Sequence, residues 1–194
     1  MTTEAATDRI AQIPIPTGRD AVRAAVLRHA AQLFAERGPT ATSVRDIAER
    51  AGINHGLIFR HFGAKENLVA AVLDHLGAEH GPEVDLTGRN PVDPAIRLHL
   101  TVLARCLLDG YPVGQLQQRF PIMAALVDRA KSAGADPHDA ALAAANAAAL
   151  MVGWELFGPF LRAATGLDDV PEAELRRDAS SRAAQMLDSG RTTG

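Results

Sequence analysis

TSVRDIAERAGINHGLIFRHFGAKENL, residues 42–68, is the stretch whose reading decides the fold. It reads as two short helices joined by a tight turn. Ser43 is a natural N-cap for a helix that starts near Val44, and Asp46 stands three residues on, as in a capping box. Gly52 supplies the left-handed backbone that the turn needs. Ala48 is small where the two helices must cross, and Ile47, Ala51, Ile53 and Ile58 stand at offsets that pin the pair from beneath. The second helix, about Asn54 to His61, begins with polar and small residues, the pattern that lets leading side chains reach base edges in a DNA groove. A further helix opens at Lys65-Glu66, with Leu68, Val69, Val72, Leu73 and Leu76 as its apolar face.

Upstream, a helix is expected from about Asp20 to Arg37, with Ala21, Ala24, Leu27, Ala31 and Phe34 on one face and Gly38 and Pro39 closing it. Residues 1–17 are polar, broken by Pro14 and Pro16, and read as an arm from which Arg9, with Arg19 just beyond, could reach phosphates. Residues 81–94 form a Pro- and Gly-rich loop. Beyond it, helical stretches are expected at Ala95–Leu108, around Gln115–Arg119, at Pro121–Ala133, from Pro137 to about Thr165 and from about Pro171 to Asp188. Pro159 should kink the long one or end its first part. No alternating strand pattern occurs, so the fold class is all-α.

The chain has 194 residues, 47% hydrophobic, 22% charged and only 4% aromatic, enough to bury a core and biased towards close-packed helices. The net charge of −3 hides an asymmetry. Residues 1–80 carry nine basic and nine acidic side chains with five of the seven His, whereas residues 81–194 carry eleven and fourteen. The first part can therefore present a basic face. Every stretch of about 18 apolar residues is interrupted by charge, so no transmembrane helix is expected, and the N-terminus lacks a signal-peptide pattern. The single Cys106 fits a reducing compartment, the cytoplasm. No nucleophile elbow, P-loop, dinucleotide fingerprint or zinc-protease motif is present, so neither a catalytic residue nor a cofactor is assigned. His75 and His80 are five apart, and His138 sits among Asp caps, so no metal ligand is assigned either.

Residues 20–75 resemble the DNA-binding domain of the TetR family of bacterial transcriptional repressors. The residues that carry the likeness are Thr42-Ser43-Val44, Ile47-Ala48, Ala51-Gly52-Ile53, Gly56-Leu57-Ile58-Phe59, Phe62 and Ala64-Lys65-Glu66 with Leu68. Phe59 stands where the family usually has a Tyr whose hydroxyl contacts phosphate, and Ala64 replaces a capping Ser. The resemblance implies about nine helices and a homodimer. An N-terminal three-helix helix-turn-helix domain, residues 18–64, would bind DNA. A C-terminal helical domain, residues 65–194, would bind a ligand and dimerise through its last two long helices. Ligand binding would shift the fourth helix and change the distance between the recognition helices.

The expected DNA contacts are Thr42, Ser43, Arg45, Asn54, His55, Gly56, Leu57, Phe59, Arg60, His61 and Lys65. Asn54, His55 and Leu57 suit base edges, and Arg60, His61, Arg45 and Lys65 suit phosphates. Helical spacing by itself favours the core for Phe59 and Phe62. Leu103, Cys106, Leu107, Met123, Leu126, Met151, Trp154 and Phe157 are candidates for an apolar ligand pocket, with Arg105 and Gln118 as polar anchors. Ala144, Ala147, Gly153, Phe160, Leu175 and Ala179 are candidates for the dimer face. The expected function is a ligand-responsive repressor that binds a palindromic double-stranded operator and is released by a small apolar effector, with no membrane partner. The alternatives are a helical interaction protein that has lost DNA binding and an all-helical enzyme.

Overall fold

The computed structural model describes residues 18–79, 93–117 and 119–189. Among them are nine helices and no strand: α1 Arg19–Arg37, α2 Val44–Ala51, α3 His55–Phe62, α4 Lys65–Glu79, α5 Pro94–Leu108, α6 Val113–Leu116, α7 Pro121–Ser132, α8 Pro137–Thr165 and α9 Glu172–Asp188. The expected arm with Arg9, most of the 81–94 loop, His80 and Gln118 lie outside the described residues.

Local chemistry sets the helix starts. Ser43 and Asp46 form a reciprocal capping box: the Ser43 backbone N–H donates to Asp46 (2.8 Å) and the Asp46 N–H donates to the Ser43 hydroxyl (3.1 Å). The Asp46 carboxyl is held below its ordinary value by these two bonds, the backbone one first, with the charges of Arg37 and Lys65 assisting and desolvation opposing. Its stabilisation of the α2 start is therefore present above the ordinary carboxylate range and lost as the solution is acidified through the lower folded value. Asp136 caps α8 by accepting from the N–H groups of His138 and Asp139, and Asp93 caps α5 ahead of Pro94. Pro171 occupies the N-cap of α9 rather than its first turn. α2 ends at Gly52, at φ 66° and ψ 31°, the left-handed region where a side chain is disfavoured.

Two apolar clusters organise the molecule. The first joins α1 to α6: Val26, Ala30 and Phe34 of α1 meet Ile47, Ile58, Phe62, the entire apolar face of α4, Val102, Cys106 and Val113. The second joins α7, α8 and α9 through Leu126, Ala130, Ala140, Ala144, Ala147, Ala183 and Leu187. Packing therefore does not separate at residue 64, because α4, α5 and α6 share the core of the first three helices. Of the expected α1 face, Leu27, Ala31 and Phe34 are buried, but the rest of that face differs. Ala21 and Ala24 are exposed, while Val22, Ala25, Val26, Ala30 and Leu33 are buried. α1 is covered by α2, α4 and α5 together, so its buried face is wider than a single stripe.

α8 runs through Pro159 without ending. Contrary to the expectation above, it is long and apolar enough, by length and composition alone, to cross a membrane. Here it lies along α7 and α9, and its Glu155, with a side chain only 9% exposed, stands 2.8 Å from Arg97 of α5.

Candidate nucleic-acid interface

α3 rests on α1 and α4 through Ile58 and Phe62, and the Arg23 guanidinium of α1 lies 4.9 Å from the centre of the Phe62 ring. This seating turns the opposite side of α3 to solvent. His55, Gly56, Leu57, Phe59 and Arg60 are exposed and His61 is half-buried. Asn54 is the N-cap, its side-chain oxygen accepting from the Gly56 N–H at 2.8 Å. The amide NH2 group of Asn54 is thus the part of this side chain left for a partner, whereas bidentate pairing with adenine needs the oxygen as well.

Ser43 and Arg45 are exposed at the start of α2, and Lys65 is half-buried at the start of α4 with Nζ 3.5 Å from the Thr40 carbonyl oxygen. Both are helix N-termini, whose backbone N–H groups and positive dipole end are of the kind that suits anions. Thr42 departs from its expected role. It is fully buried, and its hydroxyl donates to the Gly38 carbonyl at 2.7 Å. It closes the α1–α2 turn instead of facing DNA. Phe62 is core as its spacing indicates, but Phe59 is 69% exposed. Ile58 and Phe62, four apart, already face the core, and position 59 is turned about 100° from position 58.

Arg19, Leu57, Arg60 and His61 together line an open groove of about 440 Å³. Arg19, which the sequence set just beyond the arm, is the first residue of α1, and α1 carries it beside α3. Two guanidiniums around one groove form an anion-attracting surface at the edge of the recognition helix. Near α2, Glu36 pairs with Arg50 at 2.6 Å and Asp46 with Arg37 at 2.8 Å.

The other expected sites come out differently. Leu103 and Cys106 belong to the first cluster, and Leu126 with the partly buried Met123 and Met151 to the second. Leu107 (56%) and Phe157 (59%) are exposed, and Trp154 is half-buried. Leu107 follows the inward-facing Cys106 and is therefore turned out, as Phe157 is beside the buried Gly158. Burial pushes the Cys106 thiol up to about 11, as expected of an inert core residue. Arg105 is exposed. The buried polar residues that the sequence did not single out are His99, Gln117 and Ser180, and a side chain at Gly77 would come within 3.2 Å of Gln117 Nε2 and 3.5 Å of His99 Cε1. Among the described residues, no group of three His, Cys, Asp or Glu is placed to hold a metal ion.

The small-residue seam on α8 is used within the chain. Ala144 and Ala147 are fully buried against α7 and α9, and Ala179 of α9 is 4% exposed. Small side chains let the nearest helices approach first, and those helices belong to the same protomer. Leu175 and Gly153 are half-buried, with open space above Gly153, and Phe160 is 69% exposed.

Residues 26–72 match the family model described as "Bacterial regulatory proteins, tetR family". Over its full extent the chain is similar to the HTH-type transcriptional repressor Rv3405c of Mycobacterium tuberculosis (strain ATCC 25618 / H37Rv), with 51% identity over 189 residues, 97% of this chain and 99% of that protein. The fold is similar to that of Salmonella enterica GusR (TM-score 0.60, 20% identity, 91% and 98% of the two chains). It is also similar to that of a TetR family transcriptional regulator from Pseudomonas syringae pv. tomato str. DC3000 (TM-score 0.58, 23% identity, 85% and 94%). Full-length similarity at this level, together with an outward-facing recognition helix on a capped helix-turn-helix, means that the chain belongs to the TetR family and is a helix-turn-helix transcriptional repressor rather than an enzyme.

Proposed function

We propose that the chain acts in the cytoplasm as a homodimer on a palindromic operator, with α3 of each protomer in a major groove and release by a small apolar effector. The observation that carries this reading is the exposed face of α3, His55 to Arg60, flanked by the groove of Arg19, Arg60 and His61. Residues 18–64, together with Lys65 at the start of α4, supply the DNA contacts, and the rest of residues 65–194 supplies the effector site and the dimer face. Ser43, Arg45 and Lys65 position the backbone, while His55, Leu57 and the Asn54 amide read bases. Phe59 packs against sugar or thymine methyl groups where a Tyr would have bonded a phosphate. Two recognition helices must then stand about 34–36 Å apart, one turn of DNA.

The dimer face is the outward stripe of α8. Leu142, Ala145, Ala149, Gly153, Phe157 and Phe160 recur every three or four residues on one side, about 180° from the buried Ala140, Ala144 and Ala147. An effector of apolar character suits the half-buried Met123, Met151 and Trp154, because flexible thioethers adapt to a guest. It changes repression only by its difference in affinity for the two states of the dimer.

The test is anisotropy titration against DNA from upstream of the protein's own gene. His55→Ala should weaken operator binding by about tenfold, within the 1–3 kcal/mol of a base contact, and change non-specific binding by less than about twofold. Equal losses on both DNAs would remove His55 from base reading. Salt-sensitive binding without any sequence preference would remove the operator.

A further inference from the structure

We propose that Asp109 is a positioning residue, a carboxylate strut that ties the α5–α6 corner to the turn on which the helix-turn-helix is mounted. Asp109 is the C-cap of α5, 69 residues away in sequence from its partner. Its Oδ2 accepts the Thr40 backbone N–H at 2.7 Å. The same carboxylate lies over Gly38: a Cβ at that position would fall 2.7 Å from Oδ2 and 3.3 Å from Cγ. Gly38 is thus required twice, for its φ of 82° and for the space the carboxylate fills.

The turn so gripped leads straight into the DNA-facing elements. Thr42 bonds the Gly38 carbonyl, Lys65 reaches towards the Thr40 carbonyl, and Ser43 starts α2. Displacement of the α5 end therefore pulls on the backbone that aims Ser43 and Arg45, with no need to pass through the α4 core. Both Asp109 and Thr40 are exposed. A solvent-exposed hydrogen bond adds little to global stability, so what it sets is the position of the turn. This inference rests on the reading of α2 and α3 as the DNA-binding element, and adds to it a specific mechanical link from α5.

The experiment uses the full-length protein with Asp109→Ala and Asp109→Asn, and follows operator affinity, melting temperature and amide hydrogen exchange with and without operator DNA. Coupling is reciprocal. In wild type, DNA should slow exchange at residues 109–113 as well as at 40–46. In D109A the Thr40 amide should exchange faster without DNA, the DNA response at 109–113 should disappear, and operator affinity should fall roughly tenfold. The melting temperature should stay within about 2 °C. D109N retains an acceptor oxygen and should recover most of the affinity. A merely structural Asp109 would move the melting temperature and leave the response at 109–113 intact. That result, or wild-type affinity in D109A, overturns the proposal alone. Wild-type protein that binds no DNA at all overturns the DNA-binding reading first, and the strut with it.

Discussion

A variant carrying Phe157→Glu and Phe160→Glu should run as a monomer at micromolar concentration and lose operator affinity by at least about a hundredfold, the scale set by giving up bivalent attachment. The two rings are 59% and 69% exposed in the single protomer. They lie on the α8 stripe opposite the helix's own packing side, so replacing them leaves both internal clusters untouched. Each Phe covers roughly 150–250 Å² when buried, and a twofold axis doubles the count. Four carboxylates facing one another in place of that surface are costly to desolvate and mutually repulsive. Sedimentation velocity gives the mass and anisotropy gives the affinity. Circular dichroism of Phe160→Ala separates lost association from lost folding: helicity should be retained while the dimer dissociation constant rises. A double-Glu variant that remains dimeric would place the twofold contact somewhere other than α8.

The helix-turn-helix was legible in the sequence because its determinants are local. A capping Ser, an acidic residue three positions on, a Gly at the turn and Ile or Ala beneath act within a few residues of one another, and the structure shows each bond where the spacing puts it. Where several helices compete for one surface, spacing alone was insufficient. Ala21 and Ala24 fit the period of α1 as well as Ala25 and Ala30 do. Which alanines are buried depends on α2, α4 and α5 closing over the helix from more than one side. The alanines of α8 misled for a related reason. A small-residue line signals close approach but not whose helix approaches, and α7 and α9 of the same chain take it. Long-range polar contacts left no local mark at all. Asp109 looks like a solvated residue after a helix, and only the folded chain brings it to Thr40.

Phe34→Ala should be the most damaging single change to the fold, whereas Phe59→Ala, the same substitution 25 positions on, should leave stability within about 0.5 kcal/mol. Phe34 is fully buried where α1 meets the cluster shared with α2 through α6, and its carbonyl accepts the Gly38 N–H at 2.9 Å at the end of the helix. Removing a ring from such a site costs about 3–5 kcal/mol, lost transfer energy plus the cavity left behind. That is a large share of a typical total of about 5–15 kcal/mol. For a chain of this length the melting temperature should fall by about 10 °C. α4, α5 and α6 share the same core, so protection of their amides should fall together with that of α1. Phe59 is 69% exposed, so its removal leaves no cavity and is felt on DNA: operator affinity should drop while the melting curve stays in place. Thermal melts of the two variants, run beside wild type, give the comparison. Equal destabilisation by both would mean that α3 is seated with Phe59 inward, and the outward face from which DNA contact is inferred would not exist.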